Sequence, residues 1–302
     1  MVYQHPLAYL VGLEGIALLH GFAGHYDRAF TLARLAETRA LLDMAQRLGD
    51  GATAESMPTQ DGYREWAPFY DSPGNQLIDI EAPIVQEILT TLPVGVALDA
   101  ACGTGRHAAF LADLGHRVVG VDSSDEMLAM ARSKMPNGEF HQAELQCLPI
   151  PDRHVDTIVC ALALTHVPDI PPVLAEFVRV LRPGGHLVIS DSRGPIEGVG
   201  LPMVRTGRDG RPAYMPVWQR RASDYLAAAL PLGLQVRRCE EPRRPSPLVR
   251  ADGGASTDSE PAPEHEPTEP PDIWALHRFA TDATNAAYRD NPVAIIWHFQ
   301  LV

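Results

Sequence analysis

The chain has 302 residues, 45% of them hydrophobic and 21% charged, with a formal net charge of −13. That length supports one large core or two modest ones. The negative balance repels phosphate backbones, which argues against nucleic acid as a partner; the arginine pairs at 220–221, 237–238 and 243–244 read as solvated charges.

In chain order, residues 6–48 place apolar side chains at helical spacing: Leu7, Leu10, Val11, Leu13, Ile16 and Ala17, then Leu41, Met44, Ala45 and Leu48. This predicts two helices, with Gly21 and Gly24 at the turn and Gly49 as a stop. The apolar run Leu7–Leu19 is short for a membrane span and contains Glu14, so it reads as a buried helix. Residues 50–58 read as a linker. YREWAPFYD follows, then a turn at Ser72-Pro73-Gly74 and a helix through Ile80 to Leu89. From Val94 strands and helices alternate. The predicted strands are Val96–Ala100, Arg117–Asp122, Glu139–Gln142, Thr157–Ala161 and His186–Ser190; helices include 124–134 and 171–181. Such alternation predicts a parallel sheet covered on both faces.

The Gly- and Pro-rich stretch 194–220 reads as a long loop, followed by a helix near 222–230 and the strand LQVRRCEE. Residues 251–272 hold seven acids, five prolines and no Lys or Arg. That composition cannot bury a core and predicts a disordered or solvated insert. The terminal NPVAIIWHFQLV is an apolar strand, and with LQVRRCEE it suggests a hairpin carrying a long insert. Cys102, Cys147, Cys160 and Cys239 lack metal-ligand spacing and read as reduced thiols of a cytoplasmic protein.

The segment ALDAACGTGRHAAFLADLGHRVVGVD is a strand, a glycine loop, a helix and a second strand ending in an acid. Glycines let the loop turn sharply and approach a ligand, and Asp122 is placed to accept from ribose hydroxyls. Gly103-Thr-Gly105-Arg-His-Ala108 also fits the dinucleotide fingerprint, so a nicotinamide oxidoreductase competes. Four features weigh against it. Asp99 before the loop suits a cationic amino group better than a pyrophosphate. No other phosphate loop appears. An acid-led loop, AELQCLPIPD, follows the third strand. FVRVLRPGGHLVISD and the terminal strand complete the order.

DAACGTG, VVGVD, AELQCLPIPD, LALTHVPD and VLRPGG, in this order, resemble the class I S-adenosylmethionine-dependent methyltransferases. The likeness is to the small-molecule branch of quinone and natural-product enzymes, over roughly residues 60–302 minus the acidic insert. Two positions depart from the pattern: Ala101 replaces the first loop glycine, and Glu144 replaces Asp. The resemblance implies an α/β fold: a Rossmann-like, doubly wound, seven-stranded, mostly parallel sheet with an antiparallel C-terminal strand. Residues 1–57 then form a helical N-terminal cap or extension, and 58–302 the methyltransferase domain.

It also implies roles. Asp99 and the loop Ala101, Gly103 and Gly105 hold the methionine end of the cofactor, with Tyr70 at its carboxylate. Asp122 holds the ribose. Ser123 reads as capping the next helix with Glu126. Met127 lies by the adenine or packs in the core, Glu144 and Leu145 frame the adenine edge, and Ala161 offers its carbonyl to the cofactor amine. YREWAPFYD resembles the segment that folds over the cofactor, and the stretch 194–220, with Tyr214, Met215 and Trp218, lines the acceptor pocket.

A sulfonium methyl is electrophilic, and an acceptor hydroxyl must lose its proton. His166, after the fourth strand, is the leading base, with packing or capping of the turn as the structural alternative. Asp191 is a second candidate that orients His166, binds substrate or caps a loop. The favoured reading is methyl transfer to a small-molecule hydroxyl oxygen, without a metal, by a monomer or homodimer with no membrane span. N- or C-methylation, and a cofactor-binding subunit without transfer activity, stay open.

Overall fold

The computed structural model describes residues 1–67, 70–71, 75–194, 199–206, 211–244 and 276–302. The acidic insert 251–272, the Ser72-Pro73-Gly74 turn and parts of the 194–220 stretch lie outside the described residues. The chain divides into two compact units, one of Met1–Met57, Pro202–Pro216 and Arg244–Asn291, the other of Pro58–Leu201, Val217–Arg243 and Pro292–Val302.

The second unit carries the predicted sheet. Its strands are β3 (Val96–Ala100), β4 (Arg117–Asp122), β5 (Glu139–Gln142), β6 (Val155–Ala161), β7 (Leu181–Ser192), β10 (Leu234–Glu240) and β11 (Ala294–Leu301). The order is β10-β11-β7-β6-β3-β4-β5. β3, β4, β5, β6 and β7 run parallel, whereas β11 is antiparallel to both β7 and β10. The β10–β11 pairing is the expected hairpin around a long insert. The period of two sorts side chains between two cores. Leu98, Val121, Ile158, Leu187 and Phe299 pack on one face with Phe177 of helix α7 (Pro171–Val180) and Tyr225 of α8 (Ala222–Ala229). Ala97, Val118, Val159, Val188 and Ile296 pack on the other, against α4 (Gln76–Thr90) and α5 (Arg106–Asp113). Asp99 and Ser190 fall on this second face by the same alternation. Helices α3 (Thr59–Trp66) and α6 (Asp125–Lys134) complete the unit.

The first unit holds α1 (Pro6–Phe22), capped by the His5 imidazole accepting from the Leu7 N–H, and α2 (Arg28–Asp43), capped by Asp27. Both helices fall where the apolar spacing predicts them. The unit is not purely helical, however, and residues 1–57 are only part of it. β1 (Val2–Gln4) and β2 (Ala52–Ser56) pair antiparallel, and β2, in the stretch expected to be a linker, pairs parallel with β9 (Pro212–Met215), itself antiparallel to β8 (Met203–Thr206). The physical reason is edge satisfaction: β2 has a second row of backbone donors and acceptors, and a segment about 160 residues later (Glu55 opposite Ala213) meets it. The 194–220 stretch is therefore partly a β-hairpin rather than one loop. Within this unit Arg34 pairs with the buried Glu14 of α1 at 3.3 Å and with Glu37 at 2.5 Å. No described helix is long and apolar enough to cross a membrane.

Candidate functional site

The site forms in the second unit, at the carboxyl ends of β3, β4, β6 and β7. After β3 the chain passes through Ala101, Gly103 and Gly105 with φ of 57°, 52° and 82°. Three left-handed residues in five give a sharp concave turn. A Cβ on Gly105 would lie 3.1 Å from Ala131 of α6, so this glycine permits close packing. A Cβ on Gly103 would meet nothing within 4 Å. That open position is a cradle a ligand can occupy.

Asp122, at the end of β4, holds the turn in shape. One carboxylate oxygen accepts from the Gly103 N–H at 2.7 Å, the other from the Ser124 N–H at 2.9 Å. Burial raises its pKa against the backbone N–H groups of Ser124, Gly103 and Ser123. Asp99 is buried, and burial pushes its carboxyl up to about 6 against His107, the Ala108 N–H and Arg106. Its Oδ2 has no hydrogen-bond partner among the described residues. A buried, unsatisfied acceptor beside an open glycine cradle is what a cationic ligand group would satisfy, so these residues fit the positively charged methionine end of S-adenosylmethionine.

The cap of α6 is Ser124, not Ser123: its hydroxyl accepts from the Met127 N–H at 3.3 Å and donates to Glu126 at 3.1 Å. The shift by one follows from Asp122, whose bond to the Ser124 N–H keeps residue 123 in the turn before the helix. The Ser123 carbonyl accepts from Gln142 at 3.0 Å. Met127 is buried, and Leu145 is buried in the core with Leu148 and Ile150. Glu144 is exposed and accepts from Gln60 of α3 at 3.0 Å. Ala161 ends β6 opposite Ser190.

The α3 segment reaches several of these groups. Beside the Gln60–Glu144 bond, Arg64 pairs with Glu126 and, at 2.5 Å, with Asp61. Asp71 accepts from the Thr104 hydroxyl of the glycine loop at 2.9 Å and from Lys134 at 2.6 Å. Tyr70 has its pKa pushed up to about 12 by burial, and its hydroxyl also senses Arg106, Glu81, Asp71 and Asp122. Tyr63 hydrogen-bonds His166 Nε2 at 3.0 Å, with the rings edge to face.

His166 lies on a 3-10 turn, Leu164–His166, whose backbone is held on several sides. Asp191 accepts from the Thr165 N–H at 2.9 Å, Trp218 N–H donates to the Thr165 carbonyl at 2.8 Å, and Arg220 donates to the carbonyls of Leu164, at 2.6 Å, and Val167. Asp191 also accepts from the Ser192 N–H at 2.9 Å and from the Tyr225 hydroxyl at 2.6 Å. Burial pushes its carboxyl up to about 6. The structure thus gives Asp191 to the turn's backbone rather than to the His166 imidazole. Tyr214 and Met215 lie on β9 of the first unit, and Trp218 belongs to the second.

Two further charged residues, Glu81 and Arg106, and the imidazole of His107 join this site and were not singled out from sequence. Glu81 of α4, with a fully buried side chain, accepts from the Ser190 hydroxyl at 2.6 Å and from Arg106 at 3.1 Å, and faces His107 at 3.6 Å. Burial alone would raise its pKa; His107, Arg106 and Ser190 outweigh that and hold it below the ordinary carboxylate value. The available signal was a carboxylate on the apolar face that also carries Val85, Ile88 and Leu89.

Residues 98–189 match the family model described as a methyltransferase domain. The chain is 35% identical over 132 residues to malonyl-[acyl-carrier protein] O-methyltransferase of Yersinia pestis, covering 43% of this chain and 46% of that protein. It is 42% identical over 89 residues to demethylmenaquinone methyltransferase of Chlorobaculum parvum, covering 29% and 37%. The chain spans less than half the length of these curated relatives. Among solved structures, DhpI in complex with SAH aligns with a TM-score of 0.51 at 23% identity, covering 80% of this chain and 93% of that one. The putative methyltransferase bound to the Trm112 activator of Haloferax volcanii aligns at 0.51 and 18%, covering 80% and 97%. These structures share the fold. Residues 98–189 are a methyltransferase domain of the S-adenosylmethionine-dependent class.

Proposed function

We propose that the chain transfers a methyl group from S-adenosylmethionine to a hydroxyl oxygen of a small molecule. The observation that carries the reading is the open Gly103 cradle beside two carboxylates, the buried Asp99 with an unsatisfied oxygen and the half-buried Asp122 fixing the loop. In this reading Asp99 meets the cofactor ammonium, Asp122 the ribose, Glu144 and Leu145 the adenine edge, Ala161 the amine through its carbonyl, and Tyr70 the methionine end. Bound there, S-adenosylmethionine supplies an electrophilic methyl group.

The chain's own residues then orient the acceptor and remove its proton. His166 Nε2 takes the hydroxyl proton, and the acceptor hydroxyl replaces Tyr63 as the hydrogen-bond partner of that nitrogen. The braced Leu164–Val167 backbone holds the turn that carries the imidazole. Support for oxygen as the acceptor atom comes from this histidine and from the O-methyltransferase among the relatives. The test is turnover of S-adenosylmethionine to S-adenosylhomocysteine with a panel of small hydroxyl compounds. With a working acceptor, His166→Ala lowers kcat by about 10²-fold, the scale of general-base catalysis, and leaves cofactor affinity unchanged. A variant with normal kcat removes His166 from the mechanism.

A further inference from the structure

We propose that the outward face of α2 docks against the same face of a second copy of this chain, with the two helices antiparallel about a two-fold axis that passes between Leu35 and Ala36.

The helix period defines the face. Arg34 and Leu41 of α2 are buried, Arg34 against Glu14 of α1. A Cβ on Gly21 of α1 would lie 2.7 Å from the Thr31 hydroxyl, so this side of α2 is the packed one. At about 100° per residue the opposite side carries Arg28, Leu32, Leu35, Ala36, Arg39 and Asp43. A helix packed on one side ordinarily turns polar residues to water on the other. Here Leu32, Leu35 and Leu42 stay 48%, 45% and 54% exposed. Leu32, Leu35, Arg39 and Leu42 follow one another at steps of three, four and three, the spacing of a seam between two helices. Large apolar side chains grouped on an exposed face mark a site of association.

Charge identifies the occupant as a second copy. A two-fold axis between residues 35 and 36 sets residue 28 of each helix opposite residue 43 of the other. Arg28 and Asp43, both exposed, then face each other at the two ends of the seam. In the same register Leu35 meets Ala36, large against small, and Leu32 lies against the aliphatic stem of Arg39. The outward face carries two arginines and one aspartate, whereas the whole chain holds 38 acids against 25 Lys and Arg. Copies that repel elsewhere can therefore approach here, and the face is complementary to itself, as a two-fold interface requires. A helix of 16 residues is about 24 Å long and supplies less than the roughly 1,200 Å² of a stable interface. The dimer is accordingly expected to be reversible, dissociating in the micromolar range.

Sedimentation velocity of the full chain between about 1 and about 200 μM is expected to show a concentration-dependent equilibrium of monomer and dimer. Leu35→Glu sets two like charges beside the axis and is expected to leave monomer alone over that range. Arg28→Asp and Asp43→Arg each turn two cross-helix attractions into repulsions and are expected to weaken the dimer by about ten-fold. Both changes favour the helix itself, because an acid suits its N-terminus and a base its C-terminus, so weakened folding does not account for the loss. The double variant Arg28→Asp/Asp43→Arg is expected to recover the parent's dimer affinity to within about two-fold. A parent that stays monomeric throughout overturns the proposal and leaves the face to a different partner. A Leu35→Glu variant that dimerises as the parent does, or a double variant no tighter than either single one, overturns it as well. If Leu35→Glu does not fold, the charge-exchange series decides alone.

Discussion

Replacing Asp122 tests how one carboxylate serves both loop and ligand. In the structure its two oxygens accept from Gly103 and Ser124 at 2.7 and 2.9 Å. Each bond to a charged group contributes about 1.5–3 kcal/mol. The raised pKa shows that burial of the charge opposes part of this. Asp122→Asn keeps one oxygen and turns an NH2 toward a backbone donor, so it is expected to cost about 1–2 kcal/mol of stability. Asp122→Ala removes both acceptors and is expected to cost about 2–4 kcal/mol, still within a domain's stability of about 5–15 kcal/mol. Affinity for S-adenosylhomocysteine should fall by about ten-fold or more in the Ala variant, since even one charge-assisted bond to the ribose exceeds the 1.4 kcal/mol that a factor of ten requires. Urea unfolding and calorimetric titration, run on both variants, measure the two effects separately. An Ala variant that binds S-adenosylhomocysteine within about two-fold of the parent would refute the ribose role. One as stable as the parent would refute the loop-fixing role.

Ala101 holds φ 57° without being glycine; the left-handed penalty of about 1–2 kcal/mol exceeds the entropy cost of a glycine, about 0.4–1 kcal/mol, so Ala101→Gly should raise the urea midpoint. A lowered midpoint would contradict this. Asp99 titrates near 6 in the fold against 3.8 unfolded. Because the folded value is raised, its contribution is fully present below about 3.8 and is lost as pH rises through about 6, an amount on the order of 3 kcal/mol. Subtracting the pH–stability curve of Asp99→Asn from that of the parent should reveal this fall between pH 4 and 6, and parallel curves would refute it. The same carboxyl must be ionised to meet an ammonium, so affinity for S-adenosylhomocysteine should weaken on acidification below pH 6 in the parent and lose that dependence in Asp99→Asn.

Much of the sheet is legible in the sequence, because each of β3, β4 and β5 is a short run bounded by turn residues, and the glycine loop has a spacing of its own. β2, β8 and β9 are not legible. ATAES and PAYM have little strand propensity, and they become strands because distant segments satisfy each other's backbone. Residues 1–57 share their unit with Pro202–Pro216 and Arg244–Asn291 through the same long-range pairing, which leaves no local mark in the sequence. At the site, Asp99, Gly103 and Asp122 stand in a recognisable order, whereas the Glu81–Arg106 pair joins two helices 25 residues apart with no motif to announce it. Asp191 shows a different limit: sequence places it near His166, but only coordinates show its carboxylate spent on Thr165, Ser192 and Tyr225.

A glycine cradle built for S-adenosylmethionine discriminates it from a nicotinamide dinucleotide. Equilibrium titration of the purified chain with S-adenosylhomocysteine, alongside NADH, tests this discrimination most directly. Saturable one-to-one binding of S-adenosylhomocysteine and none of NADH is the expected result; saturable NADH binding with no response to S-adenosylhomocysteine would show that the cradle serves another ligand.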